Sequence, residues 1–223
     1  MSHHPGAGVR GGGPLSVYTW CAMLSTVSTA NKLTYADLEA MPDDGLRHEL
    51  LGGELLVSPA PVIRHQRVLR HLFKALDGFV SRHGLGEVFF APVDIYLSPF
   101  DVLEPDLLFV RTERLAIVEE KLVRGAPDLV AEVLSPFNRA IDLGAKRRAY
   151  RRFGVAEYWI VDPAAETVEV VRRGSRPERL ARAHEAHVAD GPAAGAGTLV
   201  SPLFPGLVLA LDEIFQPGAS PAP

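Results

Sequence analysis

Two acidic side chains occur in apolar segments, where a charged residue is costly. Asp106 opens the apolar run 107–110, and Glu132 lies inside the apolar run 129–134. A buried carboxylate is stable only when it is paired or bound to a metal ion. Carboxylate oxygens are also the ligands that hard divalent cations prefer in proteins. The two residues therefore predict a shared cation site of the kind that a metal-dependent phosphodiesterase requires.

A lysine that follows these two acids in the sequence is a candidate third member of the site. Residues 141–153 have helical spacing, and about 100° per residue puts Asp142, Lys146, Tyr150 and Phe153 on one face. The aromatic side chains should face the sheet and so carry Lys146 toward the acids. An ammonium there can stabilise the charge that develops on a phosphate or hold the attacking water. The alternative is an i,i+4 ion pair with Asp142 on a partly solvated face.

Further acids are candidates for the same site. Asp128 shares a strand face with Glu132, but four residues of strand separate the two by about 13 Å. One ion cannot bridge that gap with direct ligands about 2.3 Å away, so Asp106 is the preferred partner. Glu49, in an expected hairpin, is a candidate third ligand, with Glu54 as its alternative. Asp94 is either a further ligand or a residue that caps a sheet edge.

Basic residues on the opposite arc of the 141–153 helix offer a second feature. These residues are Arg147, Arg148, Arg151 and Arg152. They form a basic strip that can contact phosphates, although a solvated charged face is the more common outcome. The histidines are a weaker lead, and His65 and His71 are expected at the surface of a long helix or facing a neighbouring element. The sequence has no nucleophile elbow, phosphate loop or dinucleotide fingerprint, which disfavours serine-hydrolase, nucleoside-triphosphate and nicotinamide chemistry.

The order of the elements predicts an α/β or α+β fold with a sheet flanked by helices. Helices are expected at 62–83 and 141–153. Strands are expected at 88–97, 104–111, 128–134 and 155–161, with late strand material at 199–211. Hairpins are expected around Gly52-Gly53 and between 155–161 and 168–172. The nearly apolar segment 128–134 is typical of a central strand covered on both faces.

Composition limits the class of protein. Of the 223 residues, 47% are hydrophobic and 22% charged, which is ordinary for one globular domain with tails. We expect an irregular or disordered tail at 1–31, a single domain at 32–215 and a C-terminal tail at 216–223. The net charge of −4 counts against nucleic-acid binding by bulk electrostatics. A single cysteine, Cys21, allows no intrachain disulfide and no cysteine metal cluster. No apolar stretch approaches a membrane span and no signal peptide is read, so a cytoplasmic protein is expected.

A family resemblance is carried by several motifs. The most specific are residues 127–136 (PDLVAEVLSP) and 154–163 (GVAEYWIVDP), together with Leu33-Thr34-Tyr35, Arg47-His48-Glu49-Leu50, Ser58-Pro59-Ala60-Pro61 and Pro105-Asp106-Leu107. Over about residues 33–215 the chain resembles the large bacterial family of putative restriction endonucleases, within the PD-(D/E)xK nuclease superfamily.

The resemblance implies a restriction-endonuclease-like mixed sheet flanked by helices, with additional β-hairpins, and Mg²⁺- or Mn²⁺-dependent cleavage of DNA. Asp106 matches the motif aspartate and Glu132 the motif glutamate. Two residues after Glu132, where the superfamily has lysine, this chain has Leu134. The family that the chain resembles shares this departure, and Lys146 on the following helix is the matching position. A homodimer is expected, because cleavage of both strands needs two sites.

Two other functions remain open from the sequence. One is a catalytically inactive nucleic-acid- or protein-binding module on the same scaffold, such as a mobile-element accessory protein. The other is a hydrolase of small phosphoesters. A nucleic-acid substrate should show salt-dependent binding through the arginine strip, whereas a small substrate should not.

Overall fold

The structure, a computed structural model, describes residues 32–182 and 197–216 together with Met1. From Lys32 onward the described chain forms one compact unit. The tails predicted at 1–31 and 216–223 lie outside the described residues, apart from Met1 and Gln216.

Helices and strands follow one another in a mixed order. The helices are α1 (Tyr35–Glu39), α2 (Ile63–His83), α3 (Arg139–Ile141), α4 (Arg147–Phe153) and α5 (Leu211–Ile214), with a 3₁₀ helix at Thr112–Ile117 and a π-helical turn at Asp142–Lys146. The strands are β1 (Arg47–Leu51), β2 (Glu54–Ser58), β3 (Gly86–Phe90), β4 (Asp94–Ser98), β5 (Asp101–Leu103), β6 (Leu107–Arg111), β7 (Leu122–Arg124), β8 (Leu129–Val133), β9 (Glu157–Asp162), β10 (Thr167–Arg172), β11 (Glu178–Ala181), β12 (Thr198–Val200) and β13 (Val208–Ala210).

Most of the strands form two mixed sheets. The five-stranded sheet has the order β2-β1-β5-β4-β7, and the six-stranded sheet has the order β11-β10-β9-β8-β6-β3. The pairs β8–β9 and β4–β7 are parallel, and the other pairs in these two sheets are antiparallel. A small third sheet pairs β12 with β13. The predicted α+β class, with mixed sheets, flanking helices and hairpins, is confirmed.

Strand β8 lies inside the six-stranded sheet, between β9 and β6, and all five of its residues are buried. Leu129, Ala131 and Val133 face the core beneath α2, while Val130 faces the core beneath α4. Successive side chains on a strand alternate between its faces, so Glu132 lies on the same face as Val130. The alternation therefore places the one charged residue of this strand beneath α4.

Helix α2 covers the other face of the six-stranded sheet. Its buried apolar residues recur at three- and four-residue intervals: Val68, Leu69, Leu72, Leu76, Phe79 and Val80. The helix ends at Gly84, which adopts the left-handed conformation (φ 61°) typical of a helix C-terminus. Among the residues that the structure describes, no helix combines the length and apolar character that crossing a membrane requires.

The structure corrects several predicted element boundaries. The strand predicted at 88–97 is two strands in different sheets, β3 and β4, separated around a cis Ala91–Pro92 peptide bond. Proline has no amide hydrogen to donate to a strand ladder, so the chain leaves one sheet there and enters the other. Strands β5, β7 and β11 were not predicted, because three or four residues carry little periodicity. The helix predicted at 141–153 begins earlier, at Arg139, and contains the π turn.

The start of β3 provides a test of the fold. Gly86 has φ 148°, and a Cβ atom there would lie 2.0 Å from the Val110 carbonyl oxygen. Gly84 also has a positive φ, but a Cβ atom there would meet nothing within 4 Å. We expect Gly86→Ala to lower the free energy of unfolding by about 3 kcal/mol or more, because steric overlap adds to backbone strain.

Urea denaturation of matched variants measures this difference. Gly84→Ala, the control, should cost only the strain of about 1 to 2 kcal/mol. Equal losses for the two variants would contradict the close approach of β3 to Val110.

Candidate active site

Strand pairing brings the two predicted acids together. Leu107 of β6 pairs with Ala131 of β8 in antiparallel register. Extending this register by one residue places Asp106 opposite Glu132, and opposed side chains share a face with Cβ atoms about 5 Å apart. Both side chains are buried and line the same cleft of ≈ 160 Å³. The apolar runs around the two residues thus form the strands that hold them side by side.

Lys146 lies at the centre of a cluster of buried charged side chains. Its Nζ lies 2.8 Å from Glu49 Oε1 on β1 and 2.9 Å from Glu132 Oε1 on β8. Asp142 Oδ1 is farther away, at 3.7 Å. Tyr150 OH donates a second hydrogen bond to Glu132 Oε1, at 2.9 Å. Lys146 and Tyr150 therefore point at one carboxylate oxygen from successive turns of the helical segment.

The π turn gives this segment its local shape. A π turn holds one more residue than an α-helical turn and frequently occurs at functional sites. The turn at Asp142–Lys146 contains both the lysine and the acid that flank Glu132. The backbone carbonyl of Asp142 accepts a hydrogen bond from Tyr158 OH on β9, at 3.1 Å. The sheet thereby fixes the first residue of the turn, while the ammonium of the last residue reaches the carboxylates.

Asp106 is surrounded by donors. The amide of Val133 donates to Oδ2 at 2.8 Å, and His65 Nε2 lies 3.0 Å from the same oxygen. Both terminal nitrogens of Arg47 donate to Oδ1 at 3.2 Å. Burial alone would raise the pKa of Asp106, but the hydrogen bond and charge of His65, the charge of Arg47 and the Val133 amide together hold it below its ordinary value. Asp106 is thus held as a carboxylate.

Glu132 has the opposite environment. Burial raises the pKa of Glu132 to about 8; Lys146 opposes this shift, and the acids Asp142, Asp106 and Glu49 add to it. Burial likewise raises the pKa of Asp142 to about 6. Burial would lower the pKa of Lys146, but the surrounding carboxylates raise it above its ordinary value, so the lysine is held as an ammonium. The side chains around Lys146 and Asp106 therefore include more acidic groups (Glu49, Asp106, Glu132 and Asp142) than basic ones (Lys146, Arg47 and His65).

Two contacting residues were not among the sequence candidates. His65, expected at the surface of α2 or against a neighbouring element, is buried and contacts Asp106. Its position three and four residues before Val68 and Leu69 places it on the apolar stripe, which is the signal that could have identified it. Arg47 also has its Nε 2.8 Å from Glu104 Oε1. It precedes Glu49 by two residues on β1, so the strand alternation puts both on one face.

The carboxylates of this site can be compared with the ligands that a divalent cation requires. As the side chains stand, the described residues contain no group of three or more His, Cys, Asp or Glu that could enclose a metal ion. Asp142 Oδ1 is nevertheless buried without a hydrogen-bond partner in a side chain that lines the same cleft as Asp106 and Glu132. Mg²⁺ usually binds one or two carboxylates and keeps several waters. The orphaned oxygen and the excess of acid therefore fit a partly hydrated cation.

The other two predicted ligands, Glu49 and Asp94, do not line the cleft that Asp106 and Glu132 share. Glu49 lines a neighbouring cleft of ≈ 220 Å³ with Lys146 and also accepts a hydrogen bond from the amide of Glu104, at 2.9 Å. Asp94, at the start of β4, does not line either cleft. Burial, with a contribution from the charge of Glu49, raises the pKa of Asp94 to about 6. Glu54, the alternative to Glu49, is exposed on β2.

Two of the four arginines in the predicted basic strip form ion pairs. Arg147 Nη1 lies 2.9 Å from Glu169 Oε1 on β10, and Arg152 Nη2 lies 2.8 Å from Asp101 Oδ2 on β5. Arg148 and Arg151 are exposed and make no ion pair within the described parts of the chain. The structure thus engages two members of the strip and leaves the other two facing solvent.

Known proteins match this chain at two levels. A family model, "Uma2: Putative restriction endonuclease", matches residues 35–212 and confirms the resemblance seen in the sequence. A crystal structure at 1.96 Å, titled as a putative nuclease belonging to DUF820 from Anabaena variabilis ATCC 29413, has the same fold with a TM-score of 0.66. It is 19% identical, over 82% of this chain and 97% of that chain. No curated protein matches the chain.

The bridging role of Lys146 makes a prediction about stability. Lys146→Met would leave Glu49 and Glu132 buried without their shared cation, and breaking a buried pair in this way costs about 3 to 5 kcal/mol. Arg148→Met, two residues along the same helical segment, removes an exposed charge and should change the free energy of unfolding by less than about 0.5 kcal/mol. Urea denaturation at neutral pH compares the two variants. Equally small losses of the free energy of unfolding in the two variants would contradict this stabilising role of Lys146.

Proposed function

This chain belongs to the Uma2 family of putative restriction endonucleases, and from that premise we propose that it is a metal-dependent endonuclease that hydrolyses DNA phosphodiester bonds. The observation that carries the proposal is the pairing of Asp106 and Glu132 at one cleft, with Lys146 Nζ 2.9 Å from Glu132 Oε1. Two carboxylates beside one buried ammonium supply cation ligands and a positive charge for the phosphate, which is what phosphodiester hydrolysis needs.

Three carboxylates would hold the cation in this proposal. Asp106 and Glu132 are the principal ligands, and Asp142 contributes its Oδ1, which accepts no hydrogen bond from the described residues. All hydrogen bonds that the described residues make to Glu132 go to Oε1, so its second oxygen is available for a ligand. When bound, Mg²⁺ or Mn²⁺ lowers the pKa of a coordinated water and polarises the scissile phosphate.

The chain's own residues position these ligands and the phosphate. The Val133 amide and His65 fix one oxygen of Asp106, and Tyr150 and Lys146 fix one oxygen of Glu132. Glu49 holds Lys146 from the other sheet, so we assign it to positioning the ammonium and not to binding the cation. Lys146 supplies a permanent positive charge beside Glu132, because the carboxylates around it keep it protonated. DNA is the proposed partner, with a homodimer where both strands are cut.

Plasmid cleavage tests the proposal directly. We expect wild-type protein with Mg²⁺ or Mn²⁺ to convert supercoiled DNA to nicked and linear forms. Glu132→Gln and Asp106→Asn should each reduce the rate by roughly 10²-fold or more, the scale of losing one preorganised electrostatic group. Asp128→Asn is the matched control, since Asp128 is equally a buried carboxylate but pairs with Arg114 at 2.8 Å, away from the cleft.

Each result separates the candidate functions. Metal-dependent cleavage that survives both Glu132→Gln and Asp106→Asn would reject this site. A folded wild-type protein that binds DNA without cutting it would favour the binding module. Hydrolysis of bis(p-nitrophenyl) phosphate without cleavage of DNA would favour the small-phosphoester hydrolase.

A further inference from the structure

A second concave surface lies at the other end of the helical segment that carries Lys146. This pocket of ≈ 320 Å³ lies between the last turns of α4, the start of β9 and the turn that joins β10 to β11. Five arginines line it: Arg147, Arg151, Arg172, Arg173 and Arg176. The rest of the lining includes the rings of Tyr150 and Tyr158 and the apolar side chains of Val155 and Val171. We call this surface the arginine pocket.

Two of the five arginines are neutralised by ion pairs with glutamates on the neighbouring strands. Arg172 lies 3.0 Å from Glu157 Oε1 and 2.9 Å from Glu178 Oε2, and its third nitrogen donates to the Val200 carbonyl at 2.8 Å. Arg147 pairs with Glu169. These ion pairs join α4, β9, β10 and β11 and so hold the wall of the pocket in place.

The other three arginines have no such partner. Arg151, Arg173 and Arg176 are exposed, and within residues 32–182 and 197–216 none of them forms an ion pair. The C-terminal end of α4 contributes about half a negative charge at most, which cannot cancel three guanidinium charges. The arginine pocket is therefore a local positive centre on a chain whose net charge is −4.

This chemistry selects an anionic ligand of a particular kind. A guanidinium presents a planar fork of donors that matches phosphate oxygens in a bidentate way. Clustered, uncompensated arginines on one face are the electrostatic footprint of nucleic-acid binding. We propose that the arginine pocket binds a backbone phosphate of duplex DNA, as a subsite separate from the hydrolytic cleft. The proposal rests on the proposed function, because it takes DNA as the substrate.

The position of the pocket suits a substrate that reaches both sites. Asp142 lines the cleft and Arg151 lines the arginine pocket, nine residues along one helical segment. At about 1.5 Å per residue the two ends are about 14 Å apart along the segment, and a duplex carries several phosphates within that axial length, about one per 1.7 Å. Between them stands Tyr150, whose hydroxyl contacts Glu132 while the residue lines the pocket. The spacing of the two surfaces along the segment is therefore within the length of one short duplex.

Salt-dependent binding tests this subsite without turnover. Fluorescence anisotropy would follow a labelled 20-base-pair duplex binding to the full chain in EDTA, from about 50 to 300 mM NaCl. The test variant is Arg151→Ala/Arg173→Ala/Arg176→Ala. The matched control is Arg67→Ala/Lys74→Ala/Arg82→Ala, which removes three exposed cations from α2 on the opposite face of the six-stranded sheet.

The expected result is a difference between the two triple variants. Each lost phosphate contact makes the negative slope of log Kobs against log salt shallower by about 0.9, so the test variant, which loses one phosphate, should have a slope shallower by about 0.9 while the control keeps the wild-type value. Equal slopes for all three proteins, equal losses in both variants or no duplex binding by wild type would overturn the proposal. Binding of AMP that depends on the three arginines, without duplex binding, would reassign the pocket to a free nucleotide.

Failure here is distinguishable from failure of the proposed function. Loss of cleavage in Glu132→Gln with unchanged binding in the test variant would overturn only the phosphate subsite. Arginine-dependent duplex binding by a wild-type protein that does not cut DNA would overturn only the nuclease.

Discussion

The buried ammonium of Lys146 is the interaction on which the site depends. It contacts Glu49 from the five-stranded sheet and Glu132 from the six-stranded sheet, so one cation joins both sheets to the helical segment at 139–153. Desolvating each of these ions costs several kcal/mol, which their attraction offsets only when the geometry is good and other hydrogen bonds complete it. Tyr150 and the Glu104 amide supply those bonds. Electrostatics, added to apolar packing, thus determines where this helical segment crosses the sheet.

Asp106 and Glu132 are equally buried but have different partners. Each residue is 2% exposed, yet the pKa of Asp106 is lowered and that of Glu132 is raised. Donors surround Asp106, whereas Glu132 shares one ammonium with Glu49 and Asp142. The ionised form of Glu132 is therefore incompletely compensated by the protein. This deficit of positive charge, and not a preformed cage, is the feature on which the proposed cation site rests.

The sequence predicted those parts of the site that local patterns encode. Glu132 stands out within an apolar strand, and the helical period puts Lys146 and Tyr150 on one face, so both observations needed only neighbouring residues. The roles of Arg47 and His65 depend on long-range geometry, because β1 belongs to one sheet while Asp106 borders the other. Pro92 marks the interruption between β3 and β4, but no short-range pattern reveals that the two strands join different sheets. The π turn has no local signal in the sequence, and its effect depends on the sheet beneath it.

The net charge of the chain is a poor guide to its partners, and the structure explains why. Most of the acids that surround Lys146 are buried and interact with Lys146 or Arg47 at short range. Arg151, Arg173 and Arg176 are exposed, and exposed charges are the ones that act on an approaching polyanion within a Debye length of about 8 to 10 Å. A sum over all side chains mixes these two populations. In the two proposals, separating buried acid from exposed base is how one chain with an overall negative charge holds a cation inside and attracts phosphate outside.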